Sequence, residues 1–262
     1  MQTTGVLLVG HGTRSELGER QFFKLAERVA AGLALDGCRL EPAFLELAEP
    51  TIAQGVSRLL GQGISRLIVA PVLLFAAGHA KEDVPRAVRQ ALTAGGASTL
   101  EVRQAGHFGL HHEIVTLACQ RFAQAAAALA AADLQKTCLV VVGRGSRDPQ
   151  ATAEFLELAR LIGQRTEVGG VLAGFVAMAQ PSVEEVFSQA AQGDYSHVIV
   201  LPHLLFHGEI LENLAADIRR QESISPAQQW RLARILGDDL LSTTNADDHI
   251  VTAEVDLIRR AL

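Results

Sequence analysis

The 262-residue sequence predicts an α/β protein made of two tandem copies of one unit. Each copy is an open parallel sheet with helices on both faces. Three observations carry this prediction. Short apolar runs of five to seven residues alternate with longer stretches of helical periodicity. Those runs are continuous and rich in Val, Ile and Leu, as parallel strands buried on both faces require. The same motifs then return, in the same order, in the second half of the chain.

In the first half, strands are predicted over 5–10, 40–45, 66–72 and 100–104. Helical periodicity follows each of them, near 15–34, 50–61, 81–94 and 110–132. In the second half the strands fall near 138–142, 171–176, 197–201 and 230–235, with helices near 149–165, 181–191, 209–221 and 247–261. The alanine-rich segment "FAQAAAALAAADLQK" reads as helix on propensity alone. The last helix, "HIVTAEVDLIRRAL", carries apolar positions Ile250, Val251, Val255, Ile258 and Leu262, and packs on one domain or crosses to the other.

The repeat is explicit. "LLVGHGTR" from Leu7 pairs with "VVVGRGSR" from Val140, "FLELAEPTI" from Phe44 with "FVAMAQPSV" from Phe175, and "RLIVAPVLLF" from Arg66 with "HVIVLPHLLF" from His197. The offset is 133 residues for the first pair and 131 for the other two, so the copies differ by a two-residue deletion. Each copy has the size of an ordinary domain. The sequence therefore divides into an N-terminal domain, 1–134, and a C-terminal repeat domain, 135–262.

Composition narrows the function. Hydrophobic residues make up 48% and charged residues 20%, with mean hydropathy +0.21, which suits a globular chain with a large core. The net charge of -6 and the absence of any basic run argue against a nucleic-acid partner. Cys38, Cys119 and Cys138 are isolated and lack metal-ligand spacing, so reduced packed thiols are expected. The chain opens directly into a strand-like segment and no apolar run is long enough to span a membrane. The expectation is a cytoplasmic protein, a monomer or weak dimer, without a membrane partner.

In open parallel sheets, ligands sit beyond the carboxyl ends of the strands. There the first copy places His11, Glu46 and a loop ending in His79, followed later by His107, His111 and His112. The second copy has Arg144, Ala177 and Ile210 at the places of the first three. The repeat thus acts as an internal control. Residues that the fold itself dictates recur, as in Gly10/Gly143, Pro50/Pro181 and Phe75/Phe206, whereas the imidazole–carboxylate–imidazole set occurs once. Two imidazoles and a carboxylate in one crevice can bind a divalent transition ion and accept protons near neutral pH. His107, His111 and His112 read as structural.

The set "GHGTR", "FLELAEP" and "APVLLFAAGHAKEDVP" resembles the sirohydrochlorin chelatases, the class II tetrapyrrole chelatases, in their two-domain form. The resemblance covers essentially the whole chain. It implies two doubly wound, chelatase-like domains facing a central cleft. It implies insertion of a divalent ion, Co²⁺ or Fe²⁺ with Ni²⁺ a further candidate, into sirohydrochlorin with loss of two protons. Cobalt belongs to cobalamin synthesis and iron to sirohaem synthesis. In that family His11, Glu46 and His79 match the positions associated with metal binding and proton removal. The metal is a substrate, and no organic cofactor is implied. The tail has one histidine and no cysteine, so the iron–sulfur cluster site of some long members is not implied either. A substrate with eight carboxylates needs cationic contacts, for which Arg14, Lys81, Arg144, Arg147, His203 and His207 are the strand-end candidates.

Two other functions fit the same residues less well. A histidine phosphatase needs an arginine directly before the histidine, where Gly10 stands. A non-catalytic tetrapyrrole or metal carrier needs ligands but no spare base, so Glu46→Gln would leave it intact.

Overall fold

Every apolar run becomes a parallel strand. The computed structural model describes residues 3–76, 78–242 and 248–262, leaving aside the side chains of residues 79 and 80. Strands β1 (Thr4–Gly10), β2 (Arg39–Phe44), β3 (Arg66–Pro71) and β4 (Glu101–Gln104) form one sheet, in the order β2-β1-β3-β4. Strands β5 (Thr137–Gly143), β6 (Gly170–Phe175), β7 (His197–Pro202) and β8 (Gln229–Leu232) form a second, ordered β6-β5-β7-β8. In each, the chain moves outward from the first strand to the second and then returns to the first strand's other side. That reversal opens a crevice at the carboxyl ends of the two central strands.

The helices are α1 (Glu16–Gly32), α2 (Ile52–Gly61), α3 (Val84–Ala94), α4 (His112–Ala126), α5 (Ala131–Leu134), α6 (Pro149–Thr166), α7 (Val183–Gln192), α8 (Glu209–Ile224) and α9 (His249–Arg259). Leu7, Val9, Leu67 and Val69 point to the face covered by Val56 and Leu59 of α2 and Val88 and Leu92 of α3. Cys138, Val140, Val198 and Val200 do the same in the second sheet beneath α7 and α8. The three cysteines are free, and burial pushes the Cys138 thiol up to about 12, which keeps it unreactive.

The fourth strand pair extends the repeat beyond what the sequence shows. Glu101 and Gln229 occupy equivalent places beside Arg66 and His197, an offset of 128 residues. Only Arg103 and Arg231 are shared between these two short strands. The alanine-rich helix stops at Ala126 and resumes as α5, where Ala130 N–H donates to Asp133 Oδ2 at 3.2 Å. Propensity does not carry it through, because Ala127 and Ala128 are exposed and cover no core. Asp247, where the last helix was expected to begin, lies outside the described residues.

The chain forms two compact units, Met1–Phe108 with Leu240–Leu262, and Gly109–Asp239. These differ from the division at 134/135, which follows the repeat. The reason is an exchange of helices. Helix α9 packs against α1 and β3 of unit 1, with Arg28–Asp248 at 2.7 Å and Arg259–Asp36 at 3.0 Å. Helix α4 packs against α6 and β7 of unit 2, where buried Arg121 meets Asp239 at 2.6 Å and donates to the Leu236 carbonyl at 2.9 Å. Among the described residues, no helix is long and apolar enough to cross a membrane.

Candidate active site

Unit 1 brings His11 and Glu46 together at the carboxyl ends of β1 and its neighbour β2. Pairing between β1 and β2 continues one step past the strands: Leu45 N–H donates to the Gly10 carbonyl at 2.9 Å and Glu46 N–H to the His11 carbonyl at 3.1 Å. This extended ladder sets the two side chains next to each other, with His11 Nε2 3.5 Å from Glu46 Oε1. His11 is 21% exposed and Glu46 51%, so the imidazole is largely sheltered while the carboxylate faces solvent. Gly12 makes this approach possible. Its φ is +105°, and a Cβ there would lie 1.7 Å from the Glu46 carbonyl oxygen.

The turn into α1 is held by local bonds. Ser15 N–H donates to Thr13 Oγ1 at 3.0 Å, and Ser15 Oγ caps the helix by accepting from Gly18 N–H at 3.2 Å. Arg14 is exposed between these two anchors. After β3, His79 opens a π-helical turn, His79–Asp83, that leads into α3 and carries exposed Lys81. The His79 side chain lies outside the described residues, so the third expected ligand has only its backbone place. Among the described residues no group of three His, Cys, Asp or Glu is close enough to hold an ion; His11 and Glu46 supply two donors.

Unit 2 repeats the scaffold without this pair. Val176 N–H donates to Gly143 at 3.0 Å and Ala177 N–H to Arg144 at 2.9 Å, and a Cβ on Gly145 would lie 1.8 Å from the Ala177 carbonyl oxygen. Asp148 N–H donates to Ser146 Oγ, and Asp148 caps α6, mirroring Thr13 and Ser15. Arg144 and Arg147 are both exposed at this end of the sheet.

His203 does not fit the substrate-binding role expected of it. It is 2% exposed, with its ring 6.3 Å from that of Phe155, and burial lowers its imidazole to about 3. It replaces buried Val72 of unit 1: each residue extends its central strand by one bond, Val72 to the Val9 carbonyl and His203 to the Val142 carbonyl. His207 is half-buried, and its Nε2 lies 2.9 Å from Asp238 Oδ1. Asp238 also pairs with Arg234, and these two partners hold its carboxyl below the usual range against the opposing effect of burial.

An imidazole–carboxylate pair at the strand ends of one of two doubly wound units, replaced by Arg144 and Ala177 in the other, defines an α/β protein whose repeat is chemically asymmetric. A family model described as CbiX matches residues 5–125 and again 138–250, once on each copy. The sirohydrochlorin ferrochelatase of Priestia megaterium is 33% identical over 233 residues, 88% of this chain and 84% of that one. The sirohydrochlorin cobaltochelatase of the same organism is 25% identical over 88% of this chain and 74% of its own. The structure of SirB from Bacillus subtilis with Fe3+ superposes with a TM-score of 0.84 at 24% identity, covering all of this chain and 96% of that one. The chain belongs to the CbiX family, the sirohydrochlorin chelatases.

Proposed function

We propose that the protein inserts a divalent metal ion into sirohydrochlorin at the His11–Glu46 site of unit 1. The observation that carries this reading is the 3.5 Å pairing of an imidazole and a carboxylate at the carboxyl ends of β1 and β2, set against Arg144 and Ala177 on the same scaffold in unit 2. Insertion exchanges two pyrrole N–H protons for one divalent ion, so charge is conserved. The site must hold the ion through ligands labile enough to release it, and must take up the protons. Neutral imidazole does the first, and imidazole or carboxylate does the second. His79 is the proposed third member, delivered by the π-helical turn after β3. Exposed Arg14, Lys81, Arg144 and Arg147 are proposed contacts for the carboxylates of the substrate.

The metal is substrate, and Co²⁺, Fe²⁺ and Ni²⁺ all suit nitrogen and oxygen donors. The proposal needs no organic cofactor, iron–sulfur cluster or nucleic acid, and takes the protein as a cytoplasmic monomer or weak dimer. The test follows the absorption spectrum of sirohydrochlorin on anaerobic addition of Co²⁺ or Fe²⁺. Wild-type protein should convert it, and His11→Ala should slow conversion by about a hundredfold or more. Unchanged rates in His11→Ala and Glu46→Gln would remove the site assignment. No insertion by wild type with any divalent metal would remove the chelatase reading.

A further inference from the structure

Leu47 directly follows Glu46 and has no part in the chemistry above. It is 54% exposed and has φ +66°. The Ala48 N–H donates to the Glu46 carbonyl at 2.9 Å, so Leu47 is the apex of a three-residue γ-turn of the rarer, strained hand. Glycine or asparagine would sit at such an apex with less strain than leucine. A Cβ on Gly12 would come within 3.4 Å of Leu47 Cβ, which puts the apex beside the His11 turn.

Unit 2 builds the same device. Ala179 N–H donates to the Ala177 carbonyl at 2.8 Å around Met178, which has φ +62° and is 51% exposed. The two copies therefore sort their residues by cause. Positions that recur and are buried, such as Phe44/Phe175, serve the fold. Positions that differ, His11/Arg144 and Glu46/Ala177, carry the chemistry of one unit. Leu47/Met178 falls in neither group: a large apolar side chain recurs where the backbone disfavours it and where no core rewards it. Such a residue is kept for what it touches outside the chain.

The substrate proposed above is a flat macrocycle with apolar faces and an anionic rim. Arginines answer the rim, and the faces need apolar surface. We infer that Leu47 is a positioning residue that seats an apolar face of the tetrapyrrole against the His11–Glu46 pair, an assignment that rests on the chelatase reading.

Leu47→Gly keeps the turn accessible and deletes the side chain, whereas Leu47→Met restores apolar surface with the residue unit 2 uses. The measurement is a titration of wild type and both variants with metal-free sirohydrochlorin, beside a titration with Co²⁺ alone and steady-state insertion. Leu47→Gly should bind sirohydrochlorin about fivefold to tenfold more weakly and raise KM by a similar factor, with kcat and Co²⁺ affinity near wild type. Leu47→Met should match wild type. Equal sirohydrochlorin affinity in wild type and Leu47→Gly overturns the assignment alone. So does a loss in Leu47→Met equal to that in Leu47→Gly, or a parallel loss of Co²⁺ binding. Wild-type protein that binds no sirohydrochlorin removes the chelatase reading and this assignment with it.

Discussion

Replacing Glu254 by methionine should stabilise unit 1 at neutral pH and abolish a loss of stability that the wild type suffers between acid and mildly alkaline pH. Glu254 lies in α9, fully buried, and neither carboxylate oxygen has a hydrogen-bond partner among the described residues. Burial alone raises its carboxyl from 4.5 to about 8, with no neighbouring charge contributing. Because the folded pKa lies above the unfolded one, the native chain keeps a proton that the unfolded chain releases. The folded state is therefore favoured fully below about pH 4.5, loses ground as pH rises to about 8, and is level beyond. At about 1.4 kcal/mol per pH unit, this group withdraws about 3 kcal/mol by pH 7. Methionine has similar volume and no charge to bury, so Glu254→Met should recover about that amount.

Urea unfolding at pH 5.5 and pH 8, read by amide exchange in α9, measures the difference for unit 1. Other charged groups around the helix include Arg28 with Asp248, Arg259 with Asp36, His249 and Asp256 on the helix, and Arg66 and Arg103, which donate to the Leu262 carbonyl. Asp248 is itself raised by burial, with Arg28 opposing. All of these are common to both proteins and cancel in the comparison. The reasoning fails if the stability gap between variant and wild type is the same at both pH values. It fails equally if Glu254→Met is the less stable protein at pH 8.

Two further outcomes follow from the same structure. His203 has its imidazole lowered to about 3, so the folded chain refuses a proton that the unfolded chain takes up near 6.5; stability is full above that pH and drains away as pH falls. His203→Leu should gain about 3 kcal/mol at pH 4.5 and little at pH 8, read by the fluorescence of Trp230, the single tryptophan, which is buried in unit 2. Gly12→Ala should cut metal insertion at least about tenfold, since its Cβ collides with the Glu46 carbonyl and its φ is strained for alanine. Gly61→Ala, where a Cβ meets nothing within 4 Å, should leave insertion unchanged in the same assay.

The strands and their parallel pairing were legible in the sequence because runs such as "GVLLVG" and "CLVVVG" are buried on both faces and bounded by breaks. His11 and Glu46 were legible as strand-end residues of one sheet, whereas the pairing of β1 with β2 that sets them side by side is a matter of strand order, which the sequence does not state. The misreading of His203 has a definite source. Strand-end position suggests solvent access, but the ladder runs one residue past β7 and holds His203 in the core, as it holds Val72 past β3. The γ-turns at Leu47 and Met178 left only a faint trace, an apolar residue at the same offset in both copies. Nothing in a single sequence marks a left-handed leucine.

The exchange of α4 and α9 was illegible for a more general reason. Amphipathic periodicity states that a helix has an apolar face, but not which sheet that face covers. Ile250, Val255 and Ile258 would satisfy either sheet by pattern, and only the packing of Val255 against Gly32, with the ion pairs at both ends of α9, assigns the helix to unit 1. The consequence reaches past the boundary between units. Each sheet is covered on one face by a helix drawn from the other copy, so neither copy contains all the apolar surface that its own sheet must bury. The repeat is thus the unit of sequence but not of folding. A second copy that has lost the His11–Glu46 pair still cannot be discarded, because its last helix completes the unit that carries the chemistry.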